Sequence, residues 1–139
     1  MKAWCSLVVL AACAEPTPAV PAPIETCTAD AECSAGVCAR TGECLAMTEM
    51  RKAQVIWTMA GQPPTEQSCY WFPTVTVQFL TQPEVNQGET WESGPLACTL
   101  GRFTIDRLPL RFWIGGVKSP SAGMWVPLDD NNVARVNLP

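Results

Sequence analysis

Cysteine spacing constrains this chain more than any other feature. Residues 27–44 read CTADAECSAGVCARTGEC, which is Cys27-x5-Cys33-x4-Cys38-x5-Cys44 with Asp30, Gly36 and Gly42 in between. Such a short segment buries too little apolar surface to fold around a core of its own, so its order must come from cross-links. Four cysteines allow three pairings, and we expect Cys27–Cys38 together with Cys33–Cys44. The rival is a zinc site built from all four thiolates. Zinc knuckles use C-x2-C pairs, and the segment has none. Cys69 and Cys98 fall near the ends of predicted strands and are expected to pair. That bridge closes a loop of about thirty residues, for which chain entropy gives roughly 3–4 kcal/mol. Eight cysteines in 139 residues point to an oxidising compartment.

The first residues point the same way. Lys2 is a minimal positive region, and residues 3–10 (AWCSLVVL) form an apolar run too short to span a bilayer. Leu10-Ala11-Ala12-Cys13 follows. This quartet resembles the lipobox of bacterial lipoproteins. The resemblance implies a diacylglyceryl (and palmitate) group on Cys13, cleavage of the signal peptide before it, and a cell-envelope protein held on the membrane by lipid. Two or three acyl chains anchor firmly where one does not. Ala14, in place of an Asp, implies the outer membrane. The competing reading takes Ala12-Cys13-Ala14 as an A-x-A cleavage site, which releases a secreted or periplasmic protein starting at Glu15. With Cys5 lost in the signal and Cys13 acylated or removed, Cys27, Cys33, Cys38, Cys44, Cys69 and Cys98 remain, an even set for three disulfides.

Four segments result: a signal peptide at 1–12, a lipidated Cys and Pro-rich tether at 13–25, a Cys-rich module at 26–46 and a β-sandwich domain at 53–139. The tether (AEPTPAVPAPIE after Cys13) favours extended polyproline geometry and acts as a semi-rigid spacer. The cysteine segment resembles small modules of the dickkopf N-terminal type over eighteen residues, which implies no activity. From Ala53 the pattern changes to period two. Val55, Trp57 and Met59 make one face. Val75, Val77 and Phe79 make another, as do Phe103 and Ile105, and then Leu110, Phe112 and Ile114 with Trp113 opposite. Residues 124–128 and 133–138 are further strands, and residues 46–52 a single helical turn. Gly-Gln-Pro-Pro at 61–64, Gly-Pro at 94–95, Gly-Gly at 115–116 and Asp-Asp-Asn-Asn at 129–132 read as turns. Six to seven short strands predict an all-β, antiparallel sandwich. Ile56-Trp57-Thr58 with Gly61, Cys69, the Val75 strand, Cys98 with Gly101, and Leu108-Pro109 before Leu110 resemble small prealbumin-like or carboxypeptidase-regulatory-like β-sandwiches. The turn before Leu110 departs from that pattern in having no glycine.

The chemistry available is narrow. With no histidine, Ser-His-Asp and Cys-His catalysis and histidine metal sites are excluded. A net charge of −4 without a basic cluster argues against nucleic acid. Glu66, Glu84, Glu89, Glu92 and Asp106 are read as surface charges, not as a catalytic pair. Residues 129–132 lack the spacing of a calcium loop and are read as a turn between edge strands. Five tryptophans follow Cys13. Trp57 is expected in the core and Trp71 against the Cys69–Cys98 bridge. Trp91, placed in a polar loop at 82–94, and Trp113 are the candidate platform for a sugar or an apolar partner. The expectation is a non-enzymatic envelope lipoprotein, structural or binding, with no cofactor beyond its lipid and no metal. Its partners are the membrane and a protein or carbohydrate ligand. The alternatives are an accessory domain that binds carbohydrate or protein through exposed tryptophan, and a secreted disulfide-rich inhibitor or effector.

Overall fold

The computed structural model describes residues 23–84 and 87–139. The signal segment, Cys5, Cys13 and the tether up to residue 22 lie outside the described residues. The fold is all-β. Strands β1 (Val37–Cys38) and β2 (Cys44–Leu45) make a small hairpin, and one helical turn, Met47–Glu49, leads into β3 (Met50–Met59). Then come β4 (Thr74–Leu80), β5 (Thr90–Glu92), β6 (Leu96–Ala97), β7 (Arg102–Pro109), β8 (Ile114–Lys118), β9 (Gly123–Pro127) and β10 (Val133–Leu138). Two sheets face each other. Sheet I has the order β10-β3-β7, and sheet II the order β5-β4-β8-β9, with β6 also paired to β4.

Strand β3 carries the period-two pattern in full, with Ala53, Val55, Trp57 and Met59 buried. They meet Val75, Val77 and Phe79 from β4, Val117 from β8, and Ala134, Val136 and Leu138 from β10 in one continuous core. All pairings in the two sheets are antiparallel except one, because β10 lies parallel to β3. Parallel neighbours need a crossover, and here everything from β4 to β9 forms it. Local patterning carries no trace of that pairing.

Two segments depart from their predicted form. The alternation through residues 110–114 is no continuous strand. Strand β7 ends at Pro109, the chain turns through Leu110 and Arg111, and β8 starts at Ile114. Leu110 is consequently exposed, whereas Phe112 and Ile114 are buried. The Phe112 N–H donates to the Pro109 carbonyl at 3.1 Å, and no residue of the turn takes a positive φ, so glycine is not required. Conversely, Gly115-Gly116 is no turn but the middle of β8. A Cβ on Gly115 would lie 2.8 Å from Ala134 Cβ and 3.1 Å from Val55 Cγ2, so its bareness lets sheet I approach sheet II. On the opposite side of the strand, a Cβ on Gly116 would lie 2.2 Å from Trp125 Cδ1.

A β-bulge sits in β7. Between Arg51↔Leu108 and Ala53↔Ile105 the register shifts, β7 carrying one residue more than β3, with Arg107 at φ 52°. Bulges re-aim side chains, and this one turns both Asp106 and Arg107 toward the cysteine module.

The glycine argument sets a stability test. Gly115→Val should cost about 1–3 kcal/mol through overpacking between the sheets, whereas Gly94→Ala, with open space around it, should fall within about 0.5 kcal/mol of wild type. Urea unfolding of both variants measures this; equal midpoints would remove the close-approach account.

Candidate functional site

The six cysteines of the described chain pair as Cys27–Cys38, Cys33–Cys44 and Cys69–Cys98, with Cα separations of 5.7, 5.5 and 5.8 Å. The Cys27, Cys33 and Cys44 sulfurs lie within 4.8 Å of one another, because two cystines stack side by side in the module. Its sulfurs are joined as cystines, not arranged as four separate thiolate ligands.

The module is clasped to the β7 end of the sandwich. The Arg40 side chain donates to Asp106 Oδ1 from Nε at 2.8 Å and from Nη2 at 2.5 Å, and the Arg40 backbone N–H donates to the Arg107 carbonyl at 3.2 Å. Arg107 returns the contact, pairing with Asp30 at 2.6 Å. Arg111 bridges Glu43 of the module and Glu89 of the sandwich. These charges respond to their partners. Asp30 is held below the usual carboxylate range by the Cys38 backbone N–H and by Arg107, and Asp106 chiefly by Arg40. Burial works against the Glu43 charge, but hydrogen bonds from Arg111 and Thr41 outweigh it. Burial likewise opposes the Arg111 cation, and Glu89 and Glu43 more than restore it.

Trp57 and Trp113 take their expected positions, and Trp71 and Trp91 do not. Trp57 is buried, and its Nε1–H donates to the Cys98 carbonyl at 2.8 Å. The indole at the Cys69–Cys98 bridge is therefore Trp57, not Trp71. Trp91 stands in β5, not in a loop. As the cross-strand partner of buried Phe79 it turns inward, 6.0 Å from that ring and 5.9 Å from Phe103, and its Nε1–H donates to the Arg40 carbonyl. Trp113 points outward as predicted and is 41% exposed, its Nε1–H held by the Thr81 carbonyl. The structure thus does not present Trp91 and Trp113 as one exposed pair. A short β-pairing in a polar stretch, 82–94, recruits Trp91 into the core.

A different aromatic pair is exposed. Tyr70 and Trp71, 72% and 85% exposed, stand edge to face with centroids 5.2 Å apart. The following residue, Phe72, takes the packing position against the core. Sequence reasoning missed this pair. The signal was there: three consecutive aromatics, Tyr70, Trp71 and Phe72, in a Gly/Pro-bounded stretch, 61–73, cannot all reach one core. Beside them Glu66, Cys69, Tyr70, Pro73 and Thr99 line a cleft of about 300 Å3. This corner precedes the start of β4, whereas the module and Ile24, where the tether joins, lie around Arg111 and Glu89 at the other end of that strand. Strand β4 separates the two ends by about 20 Å. Trp125 was also overlooked. It lies over Gly116 with its Nε1–H donating to Gln78 Oε1 at 2.8 Å, covering the outer face of sheet II.

The five carboxylates singled out are all exposed. Glu89 and Asp106 are in ion pairs, and Glu92 accepts a hydrogen bond from Gln78. Asp129 Oδ1 accepts from the Asn131 and Val133 N–H groups, closing the turn between β9 and β10, each an edge strand of its sheet. No protein-family model, curated protein or solved structure matches the chain.

The clasp makes a pH prediction. Carboxylates with lowered folded-state pKa values contribute stability above their unfolded values that is lost as the pH falls through the folded ones. The wild-type melting temperature should therefore drop from about pH 5 downward. An Asp106→Asn/Glu43→Gln double variant should start lower at pH 7 and drop less. Parallel curves for the two proteins would show that the clasp contributes nothing.

Proposed function

We propose that this chain is a non-enzymatic lipoprotein of the bacterial cell envelope, held by lipid on Cys13 and presenting a disulfide-stapled binding module. The observation that carries the reading is that the six cysteines beyond position 13 are all consumed in three cystines. Cystines persist in oxidising compartments, which supports export. The parity also agrees with a separate fate for Cys13, the last residue of the Leu-Ala-Ala-Cys quartet. The Pro-rich tether then spaces the module from the bilayer. With about twelve residues in extended geometry its reach is on the order of 37 Å.

A binding role for the far end is supported by the exposed Tyr70–Trp71 corner. Rigid aromatics offer contact area at little entropic cost, and an indole as exposed as Trp71 contributes little to the core. Either a sugar ring or an apolar segment of a protein suits such a corner.

Two measurements test these statements. Growth with labelled palmitate should mark the wild-type protein and not Cys13→Ala, and the intact mass of membrane-extracted protein should equal the chain from Cys13 with three disulfides plus its acyl groups. Retention of Met1, or release of an unmodified chain from Glu15, would overturn the anchor. Trp71→Ala should leave the melting temperature within about 2 °C of wild type, as expected of an exposed residue away from packing. A drop of about 5 °C or more would make Trp71 structural and remove it from the binding surface.

A further inference from the structure

The chain carries a net charge of −4, yet one face of it is cationic. Eight arginines and lysines lie among the described residues, and Arg40, Arg107 and Arg111 are in ion pairs. Of the other five, Lys118 belongs to sheet II, and the remaining four, Arg51, Lys52, Arg102 and Arg135, belong to sheet I. Register places Arg102 and Arg135 together. Arg135 pairs across to Ile56, and Ile56 to Arg102, so both guanidinium groups flank one isoleucine in a single row. Cross-strand partners share a face, and the buried neighbours Val55 and Trp57 point to the core, so this row faces outward. The two arginines stand about 10 Å apart, and Lys52 lies about 13 Å along β3 from their row.

Among the described residues, no carboxylate pairs with Lys52, Arg102 or Arg135. The next row is Val133, Gln54 and Thr104. Farther along β7, Asp106 is already neutralised by Arg40. A groove of about 610 Å3 crosses the same end, lined by Arg51, Lys52, Gln54, Thr104, Asn131 and Asn132 among others, with no acidic side chain in it. Arg51 bonds only to neutral acceptors, Asn132 Oδ1 and the Leu110 carbonyl, and its Nε is buried without a partner among the described residues. Burial lowers its pKa from the usual high value. Cations so placed without a counter-charge are complementary to a ligand that brings one.

We propose that the outer face of sheet I binds an acidic polysaccharide, its carboxylates held by Arg102 and Arg135 and then by Lys52 and Arg51 along the groove. Amide and hydroxyl groups between the cations, those of Gln54, Thr104 and Asn131, offer hydrogen bonds to sugar hydroxyls, and half-buried Ile56 offers a small apolar floor for a ring face. A bilayer surface fits less well, because interfacial binding needs large exposed apolar groups to enter the acyl boundary, and the apolar residues of these two rows, Ile56 and Val133, are half-buried. Nucleic acid fits less well too, because among the described residues these two rows hold no aromatic side chain on which bases stack. The inference goes beyond the anchoring reading and does not depend on acylation of Cys13.

The test uses the full chain from cell-free synthesis under disulfide-forming conditions, with no lipid attached, and polygalacturonate as the probe. Wild type should bind polygalacturonate about tenfold or more tightly than neutral dextran and weaken as NaCl rises from about 0.05 to 0.5 M. Arg102→Gln/Arg135→Gln should lose about tenfold in affinity, whereas Lys118→Gln, on the other sheet, should stay within about twofold of wild type. Should the double variant fail to fold, Lys52→Gln alone, at an exposed position, should lose about threefold. Equal binding of dextran, or equal affinity of the sheet I variants and Lys118→Gln, would overturn the proposal. So would binding of anionic phospholipid vesicles or duplex DNA as strong as that of polygalacturonate.

Discussion

The Trp57 indole ties the two halves of this molecule together. It projects from β3, the central strand of sheet I, and its only hydrogen-bonding group donates to the carbonyl of Cys98. Cys98 is bridged to Cys69, just ahead of β4, the strand on which sheet II is built. A large apolar ring is thus buried between the sheets with its one polar atom satisfied, the condition under which burying tryptophan stabilises a core. The cystine limits how far the loop before β4 can drift, and the indole fixes the sheet spacing at that end. At the β8 level the same spacing is set by bareness, since Gly115 faces Ala134 and Val55 with no side chain of its own.

Around this core the surface divides by chemistry. One end carries the cysteine module, docked through three arginines and their carboxylates, with Ile24 of the tether beside it. The other end carries the bare aromatic corner of Tyr70 and Trp71. Half-exposed ion pairs are individually weak. Their number here, the two Arg40 nitrogens on Asp106 Oδ1 and the backbone bond from Arg40 to Arg107 make docking a shared effect, to which the β7 bulge contributes by aiming two adjacent side chains at the module. The outer face of sheet I lies between these ends, and its Lys52, Arg102 and Arg135 are in none of the ion pairs among the described residues.

Much of the architecture was legible beforehand. Val55, Trp57 and Met59, and likewise Val75, Val77 and Phe79, alternate strictly, and period two has one physical meaning on a half-buried strand. The cysteine pairings are those expected from spacing. The misplaced residues are those whose fate depends on distant partners. Leu110, Phe112 and Ile114 alternate as a strand would, yet Pro109 closes β7 and the chain must cross between sheets, which leaves Leu110 outside. Trp91 sits among polar residues and reads as a loop residue until β4 pairs with it. Trp71 is near Cys69 in sequence, but a turn hands its packing position to Phe72. Gly-Gly at 115–116 looks like a turn because glycine's conformational freedom and its lack of bulk leave the same mark in a sequence.

By itself the sequence determined an all-β, cystine-bearing chain without histidine chemistry, because side-chain alternation and cysteine placement act over a few residues. Only the tertiary structure decided the parallel seat of β10 against β3, the inward turn of Trp91, the exposure of Tyr70 and Trp71, and the row of Arg135, Ile56 and Arg102. That row joins residues about eighty positions apart. Cross-strand register is set by the packing of the whole sandwich, and no local pattern encodes which strands become neighbours.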